Sequence, residues 1–248
     1  MRINIIGSGN VAYHLNKAFY GKGEIHYVNP RSLEGLADKA DLTLISVSDS
    51  AIGSVLENLS QKRNDLGIVA HTSGSTPIDI FNNFPFTKYG VFYPLQTFSK
   101  NKELDYSIIP FFIEGNDKKT EERLMSCARE ISESVQSADS SQRERLHVAA
   151  VLSSNFINHL WTLSEDYLKD AGLDFRALLP LINETVKKVS VISPSDAQTG
   201  PASRGDRGIV EKHLDSLTPY PSIKNIYSLL SKSIFNYYKN ERNCIRSK

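Results

Sequence analysis

A short glycine-rich segment near the start of the chain has the residue types and the spacing that bind a diphosphate. The segment GSGNVA, residues 7–12, follows a strand-like run and opens a helix-like one. In this pattern the first glycine permits a tight turn, the second lets the backbone approach a pyrophosphate, and a small third residue lets the helix pack on the sheet. A plain strand-to-helix turn is the alternative. The context favours a dinucleotide site at a helix start, formed by Gly7, Ser8, Gly9, Asn10 and Val11.

The residues after the second strand-like run indicate which dinucleotide to expect. About 20 residues beyond the glycines, NAD-binding chains carry an acid for the ribose hydroxyls, and in IHYVNPRS the corresponding residue is Asn29. Without that acid a 2′-phosphate is not repelled. Arg31 and Ser32 add a guanidinium fork and a hydroxyl that suit a phosphate. We therefore expect NADP(H) as the cofactor, and the alternative is an exposed turn with an incidental arginine.

Two further segments end strand-like runs, and the carboxyl ends of parallel strands line a ligand crevice. In SVSDSAI, Val47 and Ser48 are expected against the cofactor, while Asp49 is expected to cap the helix that follows. In FYPLQTF, Gln96 is a candidate for the substrate side of the cleft, although a plain polar strand end is the simpler interpretation.

The segment AHTSGS ends another strand-like run and contains a histidine. His71 has the side chain that transfers protons near neutral pH, and Ser73 is a candidate for substrate contact. A buried histidine bonded to the backbone, followed by serine-rich turns, explains the same residues equally well.

Polar residues recur along one side of a mostly apolar helical segment, HVAAVLSSNFINHLWTL. His147 and Asn155 are candidates for catalysis, and Asn158 is a candidate for substrate contact. The apolar circumference predicts that the helix is buried or packed in a dimer. Buried polar groups need partners, which are either a ligand or neighbouring helices.

The segment PSDAQTGPASRGD has a composition unlike that of a flexible linker, since amide, hydroxyl and guanidinium groups lie among glycines and prolines. We expect an ordered loop in which Gln198 and Arg204 contact an anionic or polar substrate. A plain helix–helix loop with Arg204 paired to Asp206 is the alternative.

The elements that must position these residues fall into two parts. From residue 1 to residue 138, strands alternate with helices, which predicts a parallel sheet covered on both faces. The expected strands are RINII, IHYV, DLTLISV, GIVAHTS, YGVFYPL and IPFFIEG, and LEGLADKA is among the expected helices. Residues 139–248 are expected to be wholly helical, with one long helix from about Ser141 to Ala171. The predicted fold is therefore an α/β domain followed by an all-α domain.

Composition excludes several classes of function. The 248 residues carry a formal charge of +1, which gives no reason to expect nucleic acid or an anionic membrane as a partner. No apolar run approaches the length of a bilayer span, and the first residues are too short a run for a signal peptide. The two cysteines, Cys127 and Cys244, lie far apart in the sequence, and no cysteine–histidine cluster is present. We therefore expect no disulfide framework and no metal site, and we expect a cytoplasmic setting.

Taken together, these motifs resemble a known family. The segments GSGNVAYHL, SVSD, HTSGS, GVFYPLQTFSK, HVAAVLSSNFINHL and AQTGPASRGD resemble those of bacterial NADP oxidoreductases that pair a Rossmann-like domain with a helical domain of unassigned function. The chain is similar, more distantly, to ketopantoate reductase, pyrroline-5-carboxylate reductase and the 6-phosphogluconate dehydrogenase superfamily. The resemblance implies a helical domain that builds homodimers, with a small-molecule substrate held between the two domains.

The resemblance also implies roles for the long helix. In the β-hydroxyacid dehydrogenase and ketopantoate reductase branches, a lysine and an asparagine one turn apart act as acid and substrate anchor. Asn155 falls at the asparagine, but Val151 stands at the lysine, so His147 or His71 is expected to move the proton. We expect hydride transfer to or from a carbonyl or imine carbon of a small polar, anionic substrate. The alternative, a non-catalytic NADP(H) sensor or scaffold, is favoured by the missing lysine.

Overall fold

The structure is a computed structural model that describes the backbone of residues 1–246 and the side chains of residues 1–239. The chain forms two compact units, of which the first is Met1–Ile157 and the second begins at Asn158. Along the described part of the chain, no helix combines the length and the apolar character needed to cross a bilayer.

The first unit is built on a sheet whose strands have the order β2-β1-β3-β4-β5-β6-β7. Neighbouring strands are parallel except β5 and β6, which are antiparallel. The strands are β1 (Arg2–Ile6), β2 (Glu24–Val28), β3 (Leu42–Ile45), β4 (Ile68–His71), β5 (Tyr89–Pro94), β6 (Phe111–Gly115) and β7 (Val135–Ser137). The chain turns in opposite directions from β1, to β2 on one side and to β3 on the other. Ligands bind at such a switch point, outside the carboxyl ends of the strands.

Helices lie between the strands and continue to the end of the described chain. The α-helices are α1 (Asn10–Phe19), α2 (Asp49–Ser60), α3 (Lys118–Arg129), α4 (Ser140–Ala150), α5 (Phe156–Lys169), α6 (Leu179–Val189), α7 (Pro194–Ala197), α8 (Pro201–Arg204), α9 (Arg207–Ser216) and α10 (Pro221–Arg246). Short 3-10 helices occupy Ile78–Asn83, Tyr106–Ile108 and Phe175–Leu178, and a π-helical turn, Val151–Asn155, joins α4 to α5. In the second unit α8 packs against α9 and α10.

The central strands are apolar on both faces because both faces are covered. Ile3 and Ile5 of β1 pack with Leu15 and Phe19 of α1 on one face. Ile6, on the other face, belongs with residues of α2 to a second core cluster. Alternate residues of a strand point to opposite faces, and strands buried on both faces carry continuous apolar runs. The predicted Rossmann-like α/β fold followed by a helical region is confirmed.

The structure differs from the sequence-based expectations in local detail. The helix predicted over LEGLADKA is wrong, because Leu33 and Gly35 have positive φ values of 56° and 90° and the segment forms turns. The ordered loop predicted after residue 192 instead contains α7 and α8, each of which begins at a proline. The short strand β7 was not predicted. The long helix expected from Ser141 is interrupted by the π-helical turn.

The first compact unit continues beyond the boundary predicted at residue 138, because α4 is tied to the sheet. Arg143 of α4 is 1% exposed, and it forms an ion pair with Glu114 of β6. Its guanidinium also donates to the Thr76 carbonyl oxygen at 2.7 Å. A buried charge that has such partners is costly to withdraw, so α4 is a fixed part of this unit.

Candidate functional site

The glycine turn has the geometry that the sequence predicted. Gly7 is buried with φ +145°, and a Cβ atom there would lie 2.0 Å from the Ser46 carbonyl oxygen. Ala12 is fully buried, and it lies 3.4 Å from the same hypothetical Cβ. Gly9 is exposed, and a Cβ there would meet nothing within 4 Å. The first glycine is thus required by the fold, while the second leaves open space for a ligand to approach the backbone.

The start of α1 offers backbone donors to an anion. Gly9 is the N-cap residue, no side chain caps the helix, and its first turn contains no acid. Since the first N–H groups of a helix have no acceptor within it, the amides after Gly9 suit a phosphate. Ser8 and Asn10 are exposed and Val11 is half-buried. The Asn10 side chain donates to the Phe98 carbonyl oxygen at 2.9 Å, which fixes it to a distant segment.

A cavity of about 690 Å³ joins the glycine turn to the residues predicted to select the cofactor. It is lined by Gly7, Ser8, Tyr27, Val28, Asn29, Pro30, Arg31, Glu34 and Gly35. The Asn29 Oδ1 atom accepts from the Arg31 and Ser32 N–H groups at 2.9 and 3.3 Å. The amide oxygen therefore shapes the turn, and Arg31 lines the same cavity as Gly7 and Ser8. Glu34 was not predicted at this site, because the turn that brings it back is set by the positive φ of Leu33.

The residues after β3 and β4 are linked to each other. The N-cap of α2 is Ser48, so the prediction that Asp49 caps this helix is wrong. Instead the Asp49 carboxylate accepts from the Ser75 hydroxyl at 2.6 Å. The Ser73 hydroxyl accepts from the N–H groups of Ser75 and Thr76 at 3.2 and 2.9 Å, which makes Ser73 a buried turn residue. Val47 is half-buried and Ser48 is exposed.

His71 at the end of β4 is fully buried and stacks on Phe81, with ring centroids 5.8 Å apart. Its Nδ1 atom accepts from the Ser73 N–H at 3.2 Å, so the proton is on Nε2. Burial, followed by the positive charge of Arg143, lowers the pKa of His71 from 6.5 to about 3. The imidazole is thus neutral near pH 7. These contacts agree with the buried structural histidine that was the alternative to a proton carrier.

His147 pairs with a residue that the sequence did not single out. The Tyr93 hydroxyl at the end of β5 lies 3.2 Å from the His147 Nδ1 atom. Gly74 lies against both rings, since a Cβ there would be 2.7 Å from Tyr93 Cζ and 2.8 Å from His147 Nδ1. Burial raises the pKa of the Tyr93 phenol. The phenol therefore keeps its proton, and where it donates that proton to Nδ1 the imidazole carries its N–H on Nε2.

The buried Arg143 was also missed from the sequence. Nothing distinguishes it there from the other charged residues at the start of α4, because its partners Glu114 and Thr76 come from distant parts of the chain. Its charge acts on two neighbours, since it contributes to the lowered pKa of His71 and opposes the raised pKa of Tyr93.

Asn155 is exposed at the end of the π-helical turn that begins at Val151. Such turns are rare in helices and occur often at functional sites. This helix is not buried in the single chain, because Val148, Leu152 and Phe156 are 54%, 56% and 55% exposed, and its packing in a dimer stays a prediction. The exposed Gln96 side chain accepts from the Thr97 N–H at 2.7 Å.

The remaining predicted residues lie in the second unit. Asn158 is exposed on α5. The Gln198 side chain is exposed and donates to the Thr199 carbonyl oxygen at 2.9 Å. Arg204 at the end of α8 forms an ion pair with Asp206 at 3.0 Å, as in the alternative to a substrate contact. Among the described side chains, no three cysteine, histidine or acidic residues are grouped to hold a metal ion.

The chain has a mostly parallel sheet, a glycine turn at its switch point and a helical region after it. These features place it in the class of Rossmann-like oxidoreductases. Residues 109–234 match the model of a family described as a domain of unknown function, DUF2520, and the chain belongs to this family.

Comparison with solved structures finds an oxidoreductase and two reductases. A protein from Bacteroides fragilis, described as a "putative NADP oxidoreductase", is 37% identical with a TM-score of 0.85, over 95% of this chain and 98% of its own. A 1-pyrroline-5-carboxylate reductase from Streptococcus pyogenes is 14% identical with a TM-score of 0.60, over 95% and 98% of the two chains. An imine reductase from Myxococcus stipitatus, in complex with NADP+, is 11% identical with a TM-score of 0.60, over 98% and 95%.

The last two similarities are similarities of fold alone. Comparison with curated proteins gives no match. The family resemblance predicted from the sequence is confirmed, and NADP, which the descriptions of the Bacteroides fragilis and Myxococcus stipitatus structures name, agrees with the predicted cofactor.

Proposed function

We propose that this protein is an NADP(H)-dependent oxidoreductase that transfers hydride to or from a carbonyl or imine carbon of a small polar, anionic substrate. The observation that carries the proposal is the cavity in which the glycine turn and Arg31 lie together. Support comes from the 37% identical protein of Bacteroides fragilis, whose description names NADP.

The residues present fit this cofactor. The amides after Gly9, which no side chain caps, would hold the diphosphate. The Arg31 guanidinium would hold the 2′-phosphate, since Asn29 stands at the position where NAD-binding chains carry the ribose-binding acid. Ser32, Val47 and Ser48 are proposed as further cofactor contacts. When bound, the nicotinamide would supply or accept the hydride.

Proton transfer is assigned to His147, supported by Tyr93. The hydrogen bond between the Tyr93 hydroxyl and Nδ1 holds the ring and leaves Nε2 available to a substrate oxygen or nitrogen. An imidazolium would give its Nε2 proton to the substrate while Nδ1 stays bonded to the Tyr93 oxygen, and the neutral imidazole that remains would take up a proton from solvent. His147 is preferred to His71, because His71 is fully buried with its Nδ1 atom occupied.

The substrate contacts are proposed from chemistry. Asn155, exposed at the π-helical turn, would anchor a substrate carbonyl or hydroxyl. Arg204 would bind the anionic group, in exchange for its present pairing with Asp206. Ser73, Gln96, Asn158 and Gln198 are retained as weaker candidates for polar contact.

A specific observation favours a second function, that of an NADP(H)-binding sensor or scaffold without turnover. Val151 stands at the start of the π-helical turn, where the resemblance to related dehydrogenases would place a lysine acid. A screen of NADPH consumption over keto acids and imines separates the two functions. Turnover that disappears in His147→Ala supports the enzyme, whereas cofactor binding with no turnover on any such substrate supports the sensor.

Cofactor binding is the decisive test of the proposal. The wild-type protein is expected to quench or shift NADPH fluorescence and to bind NADPH more tightly than NADH. Loss of a charge-assisted bond costs about 1.5–3 kcal/mol, or roughly 10- to 150-fold in affinity. Arg31→Ala should lose this much for NADPH and little for NADH. Equal binding of both cofactors, or binding of neither, would contradict the NADP(H) assignment.

A further inference from the structure

A segment that is distant in the sequence is hydrogen-bonded to the glycine turn and to α1. Residues Phe98–Lys100 follow β5, and their backbone accepts two hydrogen bonds from α1. Asn10 donates to the Phe98 carbonyl oxygen and His14 donates through Nε2 to the Ser99 carbonyl oxygen, both at 2.9 Å. His14 is 1% exposed, and its other ring nitrogen bonds the Tyr106 hydroxyl at 2.9 Å. The segment is therefore fixed to the first two turns of α1.

The last residue of this segment places a cation on the glycine turn. The Lys100 Nζ atom donates to the Ser8 carbonyl oxygen at 2.9 Å, between the two glycines. An ammonium group has three donors, so two remain for another acceptor. Among the described side chains, no carboxylate lies within ion-pair distance of Lys100, whereas nearby Lys17 pairs with Glu103 at 3.4 Å.

An unneutralised cation held at this point has a clear electrostatic partner. The uncapped amides at the start of α1 already favour negative charge. The Lys100 ammonium adds a full positive charge to the same turn, and lysine binds phosphate as a point charge. Arg31 lies by contrast in the cavity beyond β2, where the 2′-phosphate is assigned. The two cations thus lie at different places around the glycine turn, with Lys100 on the Ser8 carbonyl oxygen and Arg31 in the cavity.

We infer that Lys100 is a cofactor-binding residue that neutralises the diphosphate of the dinucleotide, and that Phe98–Lys100 forms a wall of the cofactor site. This inference rests on the proposed function. Under this inference two cations have different roles in cofactor binding. Lys100 acts on the diphosphate that NADPH and NADH share, whereas Arg31 acts on the group that only NADPH carries.

The test compares Lys100→Met with Lys102→Met, which removes the same charge from an exposed residue two positions along the chain. NADPH and NADH are titrated by fluorescence against both variants, the wild type and Lys100→Arg. Lys100→Met is expected to weaken both cofactors by about 10- to 100-fold, and Lys100→Arg to restore much of the loss. The melting temperature without cofactor should stay near that of the wild type, because the side chain is exposed.

Each other outcome is informative. Unchanged affinity in Lys100→Met overturns the inference, as does an equal loss in Lys102→Met, which would indicate a general effect of charge. A loss confined to NADPH would place Lys100 at the 2′-phosphate and overturn its assignment to the diphosphate. If the wild-type protein binds neither cofactor, the proposed function itself is refuted. That result differs from one in which the wild type binds and only the affinity of Lys100→Met is unchanged.

Discussion

The surroundings of His71 change the protonation behaviour that a histidine ordinarily has. From the sequence, a histidine at a strand end was equally compatible with proton transfer and with a buried structural role. The structure shows it stacked on Phe81 near the charge of Arg143, with a pKa lowered to about 3. Arg143 is distant in the sequence and Phe81 lies in the next element, so the pattern around His71 itself could not have decided between the roles. Such burial also makes the stability of the protein depend on pH.

The sign of that dependence follows from the lowered pKa. In the unfolded chain His71 takes up a proton near pH 6.5, whereas in the folded protein it does so only near pH 3. The contribution of His71 to the free energy of unfolding is therefore fully present above pH 6.5 and is lost as the pH falls toward 3. Between pH 7 and pH 5 this one group should remove roughly 2 kcal/mol from the free energy of unfolding.

The measurement is urea unfolding at pH 7 and pH 5 for the wild type, His71→Asn and a control. The Asn amide oxygen can accept from the Ser73 N–H as Nδ1 does, but it does not titrate. His71→Asn should lose about 2 kcal/mol less than the wild type between the two pH values. His159→Asn, at an exposed position, should behave like the wild type. If all three lose the same stability, the buried neutral histidine is refuted.

Among the secondary-structure elements, the turn from β1 to α1 separates two kinds of glycine. Gly7→Ala places a Cβ 2.0 Å from a backbone carbonyl at a positive φ, so it should cost roughly 2–5 kcal/mol of unfolding free energy. Gly9→Ala meets no atom within 4 Å and should fold normally. Its methyl group should nevertheless weaken NADPH binding, because it stands where the ligand approaches the backbone.

Urea unfolding and NADPH titration of the two variants provide the check. The expected pattern is a folding defect in Gly7→Ala and a binding defect in Gly9→Ala. A Gly9→Ala protein that binds NADPH like the wild type would show that the cofactor does not lie on this turn. A Gly7→Ala protein of normal stability would show that β1 and β3 can move apart at Ser46.

The strands were predictable from the sequence because each buried strand is a compact apolar run that ends in polar residues. RINII, DLTLISV and GIVAHTS all lie where the pattern placed them. The turn that replaces the predicted helix at LEGLADKA depends on positive φ values at Leu33 and Gly35, which local propensity does not reveal. Contacts such as Tyr93–His147 and Lys100–Ser8 join residues far apart in the chain, so they were not predicted.

For the molecule as a whole, the exposed apolar side chains require an explanation. Val148, Leu152 and Phe156 recur every four residues along α4 and α5 and are all more than half exposed in the single chain. Contiguous apolar surface in a soluble protein usually marks an interaction site. We therefore propose that this helix contributes to a homodimer interface, as the resemblance implied.

Light scattering on the purified protein should give twice the mass of one chain. The double variant Leu152→Glu, Phe156→Glu should shift the protein to a monomer, because buried charges without partners are strongly unfavourable in an interface. Tyr20→Glu, at a residue 84% exposed at the end of α1, should leave the dimer intact. A wild-type monomer would refute the dimer proposal.

The single antiparallel pairing in the sheet has a consequence for how this scaffold can be altered. Because β6 reverses direction, Pro94 pairs with Phe111, and the chain between them leaves and returns at the same margin of the sheet. That excursion carries Lys100 to the glycine turn. Its exposed residues Asn101 and Lys102 can thus be exchanged or extended with little disturbance to the core, against which Leu104 packs, and they offer protein engineers a graft point beside the glycine turn.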